Sequence, residues 1–332
     1  LMLLLKPRLV ALNELLLRCR SAATALMVTH IDTPMVGRTL MQQALPITFG
    51  VKVAHWAIGL EQSRRRLGEV ELPVQFGGAV GVHSGWDTLG LEWMDALAER
   101  LGLAVPVLPW HTDRYPIHAI GTGLDAVAGA AEKIALDVAL LTQTEVGEVA
   151  EPSAPGMGES SSMPHKRNPV RSALIRGAAR QVHGHTSVLI NAAAQPLERG
   201  LGEWHAEWAP LMESALLVEG ALEQVAVLLE GLEVYPDNMW RNLSATGGGI
   251  MAEPVARILA PTLGTDRAKA VSAEAAETSR REARTYSDVL AHHPDVKGAV
   301  DPEALRNACD PALYLGSSAV QVMRARKWLE IQ

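Results

Sequence analysis

Aromatic side chains are scarce. Two Phe, four Tyr and eight Trp make up 4% of 332 residues, while 48% of the chain is hydrophobic. An interior filled by Ala, Leu and Val favours packed helices over a β-sandwich. Cysteine is nearly absent. Cys19 and Cys309 make no disulfide framework, which fits a reducing cytoplasm. No apolar run reaches the roughly 20 residues of a membrane span. The run Leu1–Leu5 is cut by Lys6 and Pro7, too short for a secretory leader. Excess positive charge is missing too. A formal net charge of −7 argues against nonspecific binding to nucleic acid or an anionic membrane, so an anionic ligand needs a locally basic pocket. No Cys/His cluster suggests a metal, and His183 and His185, two apart on a predicted helix, diverge. The expectation from these residues is therefore no metal.

What is present is helical periodicity. Leu5, Leu9, Leu12 and Leu16 predict a helix over 1–27 that begins near Pro7. Ile117, Ile120, Leu124, Val127, Ala131, Ile134, Val138 and Leu141 step by three and four, a heptad stripe within 113–144. Leu211, Ala215, Val218, Leu222, Val225, Leu229 and Leu232 form a second stripe. Two such helices predict an elongated bundle with exposed stripes that drive oligomerisation. The heptads stop at Tyr235-Pro236, so the domain expectation is a bundle over 1–235 and a small helical domain over 236–332. The basic run Arg64-Arg65-Arg66 reads as a solvated helix end. Trp204 and Trp208, four apart, read as core.

Residues 146–169 break the helical pattern. Pro152, Pro155 and Pro164 forbid a continuous helix, and Gly156 and Gly158 loosen the backbone. Three hydroxyls, Ser160, Ser161 and Ser162, precede a cation and an amide, Lys166 and Asn168. Fixed donors beside a hydroxyl suit chemistry on a carboxylate, because donors hold an oxyanion while a hydroxyl moves a proton. On composition alone, a Ser/Gly linker before a capped helix is the slightly better account.

The run Ser160-Ser161-Ser162-Met163-Pro164-His165-Lys166-Arg167-Asn168-Pro169 resembles the signature loop of the fumarase/aspartase superfamily, with Glu159 where that family has Gly. Gly37-Arg38-Thr39-Leu40-Met41-Gln42 resembles its second signature, G-R-T-H-x-Q, with Leu40 in place of the His. Ala44–Gly50 and the run Glu203-Trp204-His205-Ala206-Glu207-Trp208 resemble the branch that lactonises 3-carboxymuconate. If residues 37–46 are helical, Thr39 and Gln42 share a face.

The resemblance implies an all-α fold of the L-aspartase type, with the family's N-terminal domain missing from this chain. It implies a homotetramer with sites shared between subunits, acting on a small polycarboxylate without cofactor. It places Ser160, Lys166 and Glu198 as catalytic residues, and Thr39, Gln42, Ser161, Asn168 and Arg38 around the substrate. His111, in the break after Pro106 and Pro109, is a further substrate-binding candidate read from its position alone, where a helix cap or a packed residue is the commoner role. The missing His counts against adenylosuccinate-lyase-type elimination. The alternatives are that elimination, a 3-sulfomuconate substrate, and a noncatalytic helical assembly.

Overall fold

The protein is described from a computed structural model covering residues 1–153, 163 and 166–331. Ser160, Ser161 and Glu159 lie outside the described residues. The chain begins with α1 (Met2–Thr29), a hairpin of β1 (Pro34–Thr39) and β2 (Gln42–Thr48), α2 (Phe49–Gly68), α3 (Leu89–Leu101) and α4 (Tyr115–Leu141). Then come β3 (Val149–Ala150), α5 (Val170–Asn191), the single turn α6 (Glu203–Ala206), α7 (Trp208–Glu230) and β4 (Glu233–Val234). Six helices finish it: α8 (Pro236–Ser244), α9 (Ala252–Leu263), α10 (Thr265–Glu282), α11 (Tyr286–His292), α12 (Pro302–Cys309) and α13 (Ser318–Glu330). The fold class is all-α. Strands among the described residues form two antiparallel pairs, β1 with β2 and β3 with β4.

Two compact units divide the chain. The first takes Leu1–Ala23, Trp56–Leu140 and Glu151–Leu232; the second takes Thr24–His55, Leu141–Ala150 and Glu233–Gln332. Within the first, polar bonds tie long helices together. Cys19 Sγ donates to Leu222 O, Ser63 Oγ to Ala126 O, and Trp56 Nε1 to Asp137 Oδ2. Thr186 Oγ1 donates to Gly121 O, where α5 lies so close that a Cβ on Gly121 would meet Leu189 Cδ1 at 2.7 Å.

The stripe of α4, from Ile117 to Leu141, is buried throughout, as are Leu211, Ala215, Val218, Leu222, Val225 and Leu229 of α7. The expectation that these stripes stay exposed for assembly does not hold. They build the chain's own core, and α7 leaves Trp208, Met212 and Leu216 exposed instead. The Trp pair is thus partly a surface feature, with Trp204 and Trp208 edge to face at 5.3 Å.

Two further expectations are corrected. α1 begins five residues before Pro7. Leu1 O accepts from Leu4 N and Leu5 N, and buried Met2 and Leu5 anchor that turn, so the proline follows a turn already closed. Of the basic run, Arg65 and Arg66 are the exposed last turn of α2 that was expected, but Arg64 is not: it clamps the fully buried carboxylate of Glu61 through two bonds of 2.9 and 2.7 Å. Arg20 from α1 gives Glu61 a third bond.

In the second unit, residues 37–46 form strands rather than a helix. Gln42–Thr48 contains the β-branched Ile47 and Thr48 and, at Pro46, a residue without an N–H, which defeats a helix interior. Thr39 and Gln42 still share a face, because they are cross-strand partners. Gly37 is required by the close approach of the strands: a Cβ there would sit 2.8 Å from Leu45 O. Val36 of β1 enters the core formed by Val255 and Leu259 of α9, Val271 of α10, Leu290 of α11 and Leu305 of α12. Thr285 and Asp301 cap α11 and α12 by accepting backbone N–H bonds.

Candidate active site

In the first unit, the base of the signature segment is closed by one carboxylate. Glu151 accepts from Arg171 N at 2.9 Å, Ser172 N at 2.8 Å and Ser172 Oγ at 2.6 Å. The two backbone N–H groups are orphan donors of the first turn of α5, so Glu151 acts as its cap from 20 residues upstream. Arg167 Nη2 donates to Glu151 O at 2.8 Å. The two ends of the segment are thereby fastened to each other. Lys166 is exposed beside this closure, its backbone N–H bonded to Met163 O, and Asn168 is half-buried. Arg171 is buried and donates to Gln224 Oε1 at 2.6 Å.

Glu198 and His111 meet in the same unit. Both line a cavity of about 490 Å³ with Trp110 and Tyr115. His111 Nδ1 lies 3.3 Å from Glu198 O. A carbonyl can only accept, so that nitrogen carries the proton and, in the neutral ring, Nε2 keeps a lone pair. Glu71 and Asp113 also line the cavity. Three acidic residues against one imidazole suit proton exchange better than they suit holding a polyanion.

In the second unit, the hairpin tip carries the other predicted group. Thr39 and Gln42 are both exposed and stand opposite each other across the strands. Leu40 and Met41 between them adopt φ of 48° and 66° and are 96% and 66% exposed. Arg38 points elsewhere. Its fork engages Glu148, with Nη1 to Oε2 at 2.9 Å and Nη2 to Oε1 at 2.7 Å. Much of its donor capacity is thus committed inside the fold. Asn242 Nδ2 adds a bond to Glu148 Oε1 at 2.8 Å.

Glu148 and Glu151 were not singled out by sequence reasoning. The available signal is their placement in Glu148-Val149-Ala150-Glu151, acidic residues flanking buried apolar ones. No group of three or more His, Cys, Asp or Glu arranged to hold a metal occurs among the described residues. Among them, too, no helix is long and apolar enough to cross a membrane.

Comparison with known proteins places this geometry. A family model described as lyase matches residues 1–184. The nitrosuccinate lyase of Streptomyces davaonensis is 42% identical over 93% of this chain and 67% of its own length. The 3-carboxy-cis,cis-muconate cycloisomerase of Pseudomonas putida is 45% identical over 83% of this chain and 66% of its own. The chain spans about two thirds of the length of these curated relatives. The crystal structure of the 3-carboxy-cis,cis-muconate lactonizing enzyme from Pseudomonas putida superposes with a TM-score of 0.93 at 42% identity, covering 99% of this chain and 74% of that one. The match over more than half the sequence, together with these relatives, establishes that the chain belongs to the lyase family of the fumarase/aspartase superfamily.

Proposed function

We propose that the protein is a cycloisomerase that converts 3-carboxy-cis,cis-muconate to its lactone in aromatic catabolism. One substrate carboxylate oxygen adds to the conjugated double bond. A C–O bond forms, and the π pair moves toward the carbon alpha to another carboxylate, where a proton is delivered. The product is an isomer, so no redox partner is needed. The difficult species is the enolate-like carboxylate, which preorganised donors stabilise. In this reading Lys166 and Asn168 take that oxyanion, and Ser160 transfers the proton. Ser161, Thr39 and Gln42 orient carboxylates. Glu198, beside the Nδ1-protonated His111, assists proton movement. Arg38 acts on the hairpin rather than on the substrate directly.

The observation that carries this reading is Leu40. The family's acid–base His is replaced by an aliphatic side chain, and the tip offers no titratable group in its place. The reading includes a homotetramer whose sites draw on several subunits, and a cytoplasmic setting. The free thiols are compatible with the latter: burial pushes Cys19 and Cys309 up to about 12, so neither is a ready thiolate.

Ultraviolet loss of 3-carboxymuconate is the test, run beside its 3-sulfo analogue. Lactone formation by the parent is expected, with a fall of about 10²–10⁴-fold in Ser160→Ala. No lactonisation by the assembled parent, or full turnover in Ser160→Ala, would overturn the assignment. The 42% identity to a nitrosuccinate lyase favours one second reading, β-elimination. Loss of nitrous acid from a nitrosuccinate leaves a butenedioate, so fumarate and nitrite release from nitrosuccinate, supplied in a parallel assay, would select it.

A further inference from the structure

We infer that Glu148 is a positioning residue: its buried carboxylate fixes Arg38 and thereby holds the strained turn that presents Thr39 and Gln42. This rests on the reading above, in which those two side chains touch a substrate carboxylate. Glu148 takes no part in that chemistry itself.

The Glu148 side chain has no solvent exposure, and its oxygens accept three bonds, two from Arg38 and one from Asn242. Its backbone is held as firmly. Glu148 O accepts from Tyr235 N at 3.0 Å, Gly147 O from Asn238 Nδ2 at 2.6 Å, and Val146 O from Asn242 Nδ2 at 2.8 Å. An ionised carboxylate without water needs its cation, so Arg38 is bound to a nearly immovable point by a paired fork.

Arg38 stands one residue from the last cross-strand pair. It lies opposite Gln43, and Thr39 lies opposite Gln42. Alternation puts Arg38 on one face of the hairpin and Thr39 with Gln42 on the other. The irregularity between Val36 and Arg38 sets that alternation. Beyond the pair, Leu40 and Met41 both occupy the left-handed region, where Asn and Gly are at ease and these residues are not. Both are largely exposed, so packing within the chain does not hold the turn. Its geometry is imposed from the strand side, where the Arg38 fork on Glu148 is the fixed point.

The test compares kcat, KM and backbone hydrogen exchange of the parent with those of variants of the same chain. Glu148→Gln is expected to lower kcat about ten- to hundredfold, because the substrate carboxylate that Thr39 and Gln42 orient is no longer held in register. Exchange of amides 39–43 should quicken in step. Arg38→Met should reproduce the kcat loss, and the double variant should lose no more than either single one. Replacing the strained turn by Leu40→Asn with Met41→Gly in the Glu148→Gln background should restore turnover, because such a turn needs no strut. A merely structural Glu148 would show none of that rescue. Unchanged kcat and exchange in Glu148→Gln, or a loss that neither Arg38→Met reproduces nor the new turn repairs, would overturn the inference. Should Glu148→Gln fail to fold, Arg38→Met with and without the new turn decides it. If the parent turns over no muconate, the functional reading fails alone, and hairpin exchange still decides the positioning role.

Discussion

Glu61 and Glu148 are the same chemistry in two settings. Each is fully buried and each is held by arginine. Glu61 lies inside α2 and is answered by Arg64 one turn along and Arg20 on α1, so both arginines stand on regular helix. Glu148 lies in irregular backbone at the start of the signature segment, and its arginine stands on a hairpin. The first pairing locks a packing arrangement. The second sets the geometry of exposed groups. A buried ion pair is therefore not read by its burial alone; what its cation is attached to decides what it does.

Removing either carboxylate should separate the two roles. Glu61→Ala removes the buried carboxylate that Arg20 and Arg64 both bond, and should cost about 3–5 kcal/mol, read from the urea midpoint. Turnover per folded molecule should remain that of the parent. A loss of turnover larger than the loss of folded protein would mean that Glu61 also serves the site, and the contrast with Glu148 would fail.

The same contrast explains what the sequence made legible. The long helices and their two apolar stripes follow from periodicity, because apolar spacing of three and four has few other solutions, but that the stripes pack within the chain does not. The run from Ser160 to Pro169 is read from its motif. The hairpin is not: Leu40-Met41 carries none of the Asn-Gly signals of a two-residue turn, so residues expected to share a face as a helical pair share it instead across strands. Glu148 and Glu151 were missed because their partners are 110 and 20 residues away, distances at which no local pattern operates.

Glu151 sharpens the comparison at a lower energy. It caps α5 with three bonds and is only half-buried, so water can replace part of what it gives. Glu151→Ala should cost about 1–2 kcal/mol of thermal stability. Glu151→Asp, one methylene shorter, should recover little of it, because both oxygens are in use. A neutral Glu151→Ala would mean that α5 needs no cap. In the opposite direction, Leu40→Asn with Met41→Gly should raise stability by about 1 kcal/mol in the parent, by relieving two left-handed residues. No gain would mean the turn is unstrained, and the need for a strut at Arg38 would weaken.

The smallest effect has the opposite sign in pH. Burial alone would raise the Glu61 carboxyl, but bonds from Arg64 and Arg20 hold it below the usual 4.5. Its stabilisation is present above that ordinary value and is lost as pH falls through the depressed one. His183 on α5 faces Asp125 at 2.6 Å and Glu132 at 3.3 Å, both on α4. Partial burial lowers its basicity, yet the Asp125 bond and charge, joined by Glu132, leave it above 6.5. That contribution is fully present below the ordinary histidine value and fades as pH rises through the raised one. The ring is over a third exposed, so solvent screens the effect. The urea midpoints of the parent and His183→Gln should therefore differ at acid pH and converge as the medium turns alkaline. A gap that widened with rising pH would show that His183 is held as the neutral ring, and that the two carboxylates serve it as hydrogen-bond acceptors rather than as counter-charges.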